Sequence, residues 1–230
     1  MKSIYLLGDS IIDNAAYVGI DEKDVESHLN SMYKEDPKVN INNRAVDGHT
    51  MRDLLDTQLS DVGLNEATHI VMSIGGNDLL QNISFLQMTS KLSEVMDKDA
   101  RIGKWGAREL NPSRNKVFEE TYFEIIKPFN SLYETIVEKL SNYRAKLLLC
   151  TVYEGDLFGS DEFKNVFYSS KTMVSIFNDL VYKSSSKFKT DVLELRNIFV
   201  SSEDYANPIE PSHIGGEKLA KSIVEWVDNG

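Results

Sequence analysis

The segment His69-Ile70-Val71-Met72-Ser73-Ile74-Gly75-Gly76-Asn77-Asp78 joins an apolar, β-branched run to a turn of glycines and polar residues. A short apolar run closed by turn residues reads as a buried strand. Ile70-Val71-Met72 shows no polar alternation. That absence suits a sheet covered by helices on both faces, and so points to parallel pairing. Four more runs share the pattern, at 3–7, 38–42, 145–152 and 191–195. Between them the apolar residues fall at helical spacing. Val25, Leu29 and Met32 share one face, as do Leu54, Leu55, Leu59 and Val62. Ile125, Phe129, Leu132, Ile136 and Leu140 mark a long helix in which Pro128 predicts a kink or break. Stretches 163–182 and 216–227 read as the last two helices. Strands alternating with helices predict a doubly wound α/β sandwich.

The chain has 230 residues, 41% hydrophobic and 27% charged, with neither repeat nor linker. One domain over 1–230 accounts for that length. A single cysteine, Cys150, excludes a disulfide scaffold and a four-cysteine zinc site. By its place in the fourth strand run it reads as a small core residue. The net charge of −11 repels phosphate backbones and anionic membranes, so nucleic acid is not an expected partner. No run approaches the roughly 18 apolar residues of a membrane span, and the N-terminal run is too short for a signal peptide. A cytoplasmic protein is the expectation.

In such sheets ligands sit beyond the carboxyl ends of the strands. Gly8-Asp9-Ser10 follows the first run, Arg44 to Thr50 with Gly48 and His49 the second, and Gly75-Gly76-Asn77-Asp78 the third. Tyr153-Glu154-Gly155-Asp156 follows the fourth, and after the fifth a loop leads to Glu210-Pro211-Ser212-His213. Each of these residues has a plainer role available, since Ser, Asp and Asn cap helices and glycine makes turns. Together they supply the parts of acyl transfer. A serine hydroxyl needs a base, and His213 is the best base in the chain. Glu210, three residues earlier, can orient the imidazole. Gly48 lets a backbone N–H approach closely, and Asn77 brings an uncharged side-chain donor, as an oxyanion hole requires.

The ordered set Gly8-Asp9-Ser10, Gly48, Gly75-Gly76-Asn77-Asp78 and Glu210-Pro211-Ser212-His213 resembles the SGNH, or GDSL-type, hydrolase superfamily. Its Ser, Gly, Asn and His landmarks fall here on Ser10, Gly48, Asn77 and His213. The resemblance runs from the first strand to the last loop. It implies a three-layer α/β/α sandwich on a five-stranded parallel sheet, flavodoxin-like in form. It implies a serine-dependent hydrolase of carboxylic esters with a Ser10, Glu210, His213 triad and no cofactor or metal. Oxyanion donors would be the Ser10 and Gly48 N–H groups and the Asn77 side chain. The superfamily usually has Asp three residues before the histidine; here Glu210 stands there, with Asp204 as a second candidate acid. Asp9, His49 and Asp78 are the expected substrate-contacting residues. Lipid or carbohydrate esters and other small esters are the substrate class, and residues 78–143 are the expected pocket wall. Among the aromatic residues Phe158, Phe163, Phe167, Tyr168 and Phe177, most read as helix core and a minority as acyl-pocket lining.

Other readings fit less of the chain. Gly8-Asp9 with Asp13-Asn14 resembles a metal-dependent phosphoesterase, but the spacing is off by one residue and the histidine ligand motifs are missing. No Gly-x-Ser-x-Gly elbow, Gly-x-Gly-x-x-Gly or P-loop occurs. His28 and His69 read as structural. An acyltransferase or a non-catalytic binding homologue on the same fold stays open, as does the oligomeric state.

Overall fold

Residues 1–81, 123, 126–156 and 164–229 are described by the computed structural model, the side chains of 164–170 excepted. Five strands, β1 (Lys2–Gly8), β2 (Val39–Asn43), β3 (His69–Ser73), β4 (Lys146–Cys150) and β5 (Asp191–Leu193), form one sheet in the order β2-β1-β3-β4-β5. Every pairing is parallel. The chain reverses its direction of winding after β2, so β1 and β3 flank the switch point where such sheets open a crevice.

The uninterrupted apolar runs divide by alternate residues between two cores, because successive strand side chains point to opposite faces. Tyr5, Leu7, Ile70, Met72, Leu147 and Leu149 face one core. There they meet helices α2 (Met51–Asp56), α4 (Lys127–Ser141) and α5 (Lys164–Phe188). Ile4, Leu6, Val71, Leu148 and Cys150 face the other, packed on α1 (Val25–Met32) and α6 (His213–Asn229). The three-layer α/β/α arrangement is thus the one the strand pattern predicts. A short helix, α3 (Gly76–Gln81), opens directly after β3.

Helix ends follow local chemistry. Asp24 caps α1 through the Ser27 N–H, and Thr50 with Asp53 forms a capping box on α2. Three expectations need correction. Pro128 sits in the first turn of α4, where its missing N–H costs nothing, so it starts that helix rather than kinking it. Helix α2 stops at Asp56, two 3-10 turns follow, and Val62 is exposed. The last helix begins at His213, with the Ser212 hydroxyl accepting the Ile214 and Gly215 N–H groups. Ile125, Phe158 and Phe163 lie outside the described residues.

β1 ends on a residue that only glycine can supply. Gly8 has φ +147°, and a Cβ placed there would lie 1.9 Å from the carbonyl oxygen of Ser73 on β3. Gly8→Ala should therefore force β1 and β3 apart at their carboxyl ends. We expect it to lower unfolding free energy by about 1–3 kcal/mol, read as a lower urea midpoint with an unchanged m value.

Candidate active site

Ser10 is placed by the turn that Gly8 opens. The Asp9 N–H donates to Ser73 O (3.2 Å), and Asp9 Oδ1 accepts the Ile11 N–H (3.1 Å). Gln58 grips the same turn: its Oε1 accepts the Gly8 N–H (2.8 Å) and its Nε2 donates to Gly8 O (2.7 Å). Gln58 Nε2 also lies 3.0 Å from His49 Nδ1. Since that nitrogen carries only donors, His49 Nδ1 accepts and the neutral ring holds its proton on Nε2. Gln58 is buried and belongs to no motif, so sequence reading passed over it.

Ser10 lines a mostly apolar pocket with Asp9, Asn77 and Glu210. Ile11, Leu79, Val152, Met173 and Ile209 supply apolar walls. Of the expected 78–143 wall, Leu79 and Leu80 take part, while 82–122 lie outside the described residues. Phe177 is in the core beside Tyr133, and the side chains of Phe167 and Tyr168 are not described.

Of the three oxyanion candidates, two line this pocket, Ser10 and Asn77. Asn77 Nδ2 donates one hydrogen to His49 O (3.0 Å), tying its loop to the Gly48 loop and leaving the second amide hydrogen. Gly48 has φ +80°, a left-handed conformation that favours glycine. Among the described residues, neither the Ser10 N–H nor the Gly48 N–H has a hydrogen-bond partner. Unsatisfied donors beside a pocket are what a developing oxyanion requires.

The acid and base are arranged differently from the expectation. Ser10 and the buried Glu210 line the same pocket, and Glu210 Oε2 has no hydrogen-bond partner among the described residues. His213 instead turns its Nε2 toward Glu22 Oε1, 3.4 Å away, and its side chain is 41% exposed. Among the described residues no hydrogen bond joins His213 to Ser10 or to Glu210. The cause is local: Tyr205 and Pro211 form an isolated bridge, Ser212 caps the helix, and His213 is already its first residue. Glu210 lines the pocket, and His213 is the first residue of the last helix. The alternative acid, Asp204, is structural. It is fully buried, its Oδ2 accepts the Val200 and Ser201 N–H groups, and its Oδ1 pairs with Lys218 at 2.6 Å.

Asp9 and Asp78 are buried carboxyls. Burial, with the charges of Glu210 and Asp78 adding to it, pushes Asp9 up to about 8 against the opposing Ile11 hydrogen bond. Its Oδ2 has no hydrogen-bond partner among the described residues. Burial pushes Asp78 up to about 6, although its Oδ2 accepts the Met51 N–H at 2.9 Å. Burial also raises Glu210, with the Ser10 hydroxyl opposing the effect and the charge of Asp47 adding to it. His69 packs edge-on to Trp226 far from these groups, in keeping with a structural role. Among the described residues no three His, Cys, Asp or Glu side chains converge as a metal site, and no helix is long and apolar enough to cross a membrane.

No family model matches the chain. An uncharacterized protein of Bacillus subtilis, YpmR, is 23% identical over 244 residues, covering 97% of this chain and 80% of that protein. Solved structures show the same fold. An extracellular lipase from Streptomyces rimosus superposes with a TM-score of 0.65 at 13% identity, covering 98% and 99% of the two chains. A lipase/acylhydrolase from Enterococcus faecalis gives 0.62 at 17% identity, covering 100% and 96%. The acetyl xylan esterase AlAXEase gives 0.60 at 15%, covering 98% and 99%. The fold expected from the SGNH resemblance is therefore the fold the chain has.

The Asp9 shift makes a stability prediction. The folded state keeps a proton up to about pH 8 that the unfolded chain releases near the ordinary carboxyl value of 3.8, so the native state loses stability as pH rises between them. Asp9→Asn keeps the acceptor for Ile11 and cannot ionise. The Tm difference, variant minus wild type, should grow steadily from pH 4 to pH 8; a difference independent of pH would contradict the burial of this carboxyl.

Proposed function

We propose that the chain hydrolyses carboxylic esters through an acyl-enzyme on Ser10. The observation that carries this reading is the placement of Ser10 on the pocket wall with its own N–H unpaired, beside Asn77 and the Gly48 loop. Solved lipases and an acetyl xylan esterase on the same fold support it. Ser10 Oγ attacks the ester carbonyl carbon as its proton passes to a base on the 205–213 loop. The Ser10 and Gly48 N–H groups and the free Asn77 amide hydrogen hold the oxygen as it gains charge. The leaving alcohol takes the proton from that base, and water then releases the acid by the reverse route. The apolar walls suit an acyl group of low polarity, and the net charge of −11 disfavours strongly anionic substrates. A buried acid, a hydroxyl and two unpaired N–H groups need no cofactor for this chemistry.

A second reading has one observation in its favour. His213 facing Glu22 is what a binding homologue that had lost ester hydrolysis would show. A fluorophosphonate probe separates the two. Labelling of the native chain at Ser10, lost in Ser10→Ala, together with turnover of p-nitrophenyl esters, supports the hydrolase. No labelling and no turnover across acyl chain lengths supports the binder. Capture of the acyl group by an added alcohol would mark an acyltransferase. In the hydrolase, Asn77→Ala should lower kcat about 10²- to 10³-fold with little change in KM, because its donor acts on the charge that forms in the transition state.

A further inference from the structure

We propose that Gln58, acting through His49, is a positioning residue of the oxyanion hole: it ties the turn that carries the Gly48 N–H to the turn that carries Ser10. The inference rests on the hydrolase reading above and names the groups that hold its donors in place. His49, a substrate-contacting candidate from the sequence, takes a supporting role in it.

The amide of Gln58 can point only one way. Gly8 brackets it, giving its N–H to Oε1 (2.8 Å) and accepting at its carbonyl oxygen from Nε2 (2.7 Å). The amide turned over would set donor against donor and acceptor against acceptor. Nε2 has a second hydrogen, and His49 Nδ1 lies 3.0 Å away to accept it. Gln58 is 5% exposed, so water would not readily replace a partner it lost.

The Gly48 turn is pinned at both ends. The Val46 N–H donates to Gly8 O (3.1 Å), the same carbonyl that Gln58 holds. The His49 N–H donates to Val46 O (3.1 Å) and closes a four-residue turn with Gly48 in its third position. The φ of +80° at Gly48 is what a type II turn requires there. At the far end His49 is held twice, its ring by Gln58 and its carbonyl by Asn77 Nδ2 (3.0 Å). Between the ends, the bond from the Asp47 N–H to Asp13 Oδ2 is exposed to solvent. Gly8, Gln58, His49 and Asn77 thus form one hydrogen-bonded chain that links the backbone of Ser10 and Gly48 to the third donor. An oxyanion hole works because its donors are fixed before charge develops. Misplacing such a group by about 1 Å costs roughly 10² in rate. Val46, Asp47 and Gly48 are themselves exposed, so the precision has to come from the buried side of the turn, where Gln58 stands.

The test compares wild type, Gln58→Leu, His49→Phe and His49→Asn, alone and combined with Asn77→Ala. It reads kcat and KM on p-nitrophenyl acetate and the rate of fluorophosphonate labelling at Ser10. A wild type that neither labels nor turns over esters overturns the hydrolase reading, and this role with it. With an active wild type, Gln58→Leu and His49→Phe should each lower kcat about 10- to 10²-fold and leave KM within about threefold. His49→Asn, whose Oδ1 can accept in place of Nδ1, should recover most of that loss. Combined with Asn77→Ala, which already breaks the chain, His49→Phe should cost less than about threefold. A two-bond ¹H–¹⁵N spectrum of the wild type under mildly basic conditions should show the His49 proton on Nε2. Wild-type kcat in His49→Phe, a loss carried by KM alone, full additivity with Asn77→Ala, or a His49 proton on Nδ1 each overturns the positioning role while leaving the hydrolase reading intact. If Gln58→Leu fails to fold, because it leaves both polar groups of Gly8 short of a partner, the His49 variants and the spectrum decide.

Discussion

One backbone contact sets where the serine stands. At the carboxyl end of β1, Gly8 passes so close to the Ser73 carbonyl of β3 that no side chain fits between them. The strand must turn there, and Gln58 holds both polar groups of Gly8 in that turn. Just beyond it Asp9 is buried and Ser10 lines the pocket. The same crevice receives Asn77 from β3 and Glu210 from the last loop. These parts come from distant positions in the chain, and the parallel sheet is what gathers them.

The crevice gathers an electrostatic load with them. Asp9, Asp78 and Glu210 are buried carboxyls, each raised mainly by burial. A chain of net charge −11 concentrates acid where charge is least welcome. Asp9, raised to about 8, and Asp78, raised to about 6, are thereby brought close to neutral pH, where carboxyls exchange protons readily. Asp9 illustrates the cost to stability.

Much of this was legible in the residues. The apolar runs located all five strands, and their lack of alternation foretold parallel pairing with helices on both faces. Ser10 after β1, Asn77 after β3 and Glu210 in the loop that follows β5 were candidates from the sequence, and all three line one pocket. The failures share a cause. Periodicity carried the helix of Leu54 on to Val62, although packing ends it at Asp56 and the rest is two tight turns. Spacing between Glu210 and His213 does not tell which of the two lines the pocket; Glu210 does, while His213 opens the last helix. Gln58, Asn14 and Tyr153 act through buried contacts with backbone groups remote in sequence, and such contacts leave no local pattern to read.

The most direct measurement is a crystal structure of the chain after reaction with a small fluorophosphonate. The account predicts phosphorus bonded to Ser10 Oγ, with the phosphoryl oxygen within hydrogen-bond distance of the Ser10 and Gly48 N–H groups and of Asn77 Nδ2. A phosphoryl oxygen directed away from those three donors, or an adduct on any other residue, would contradict it.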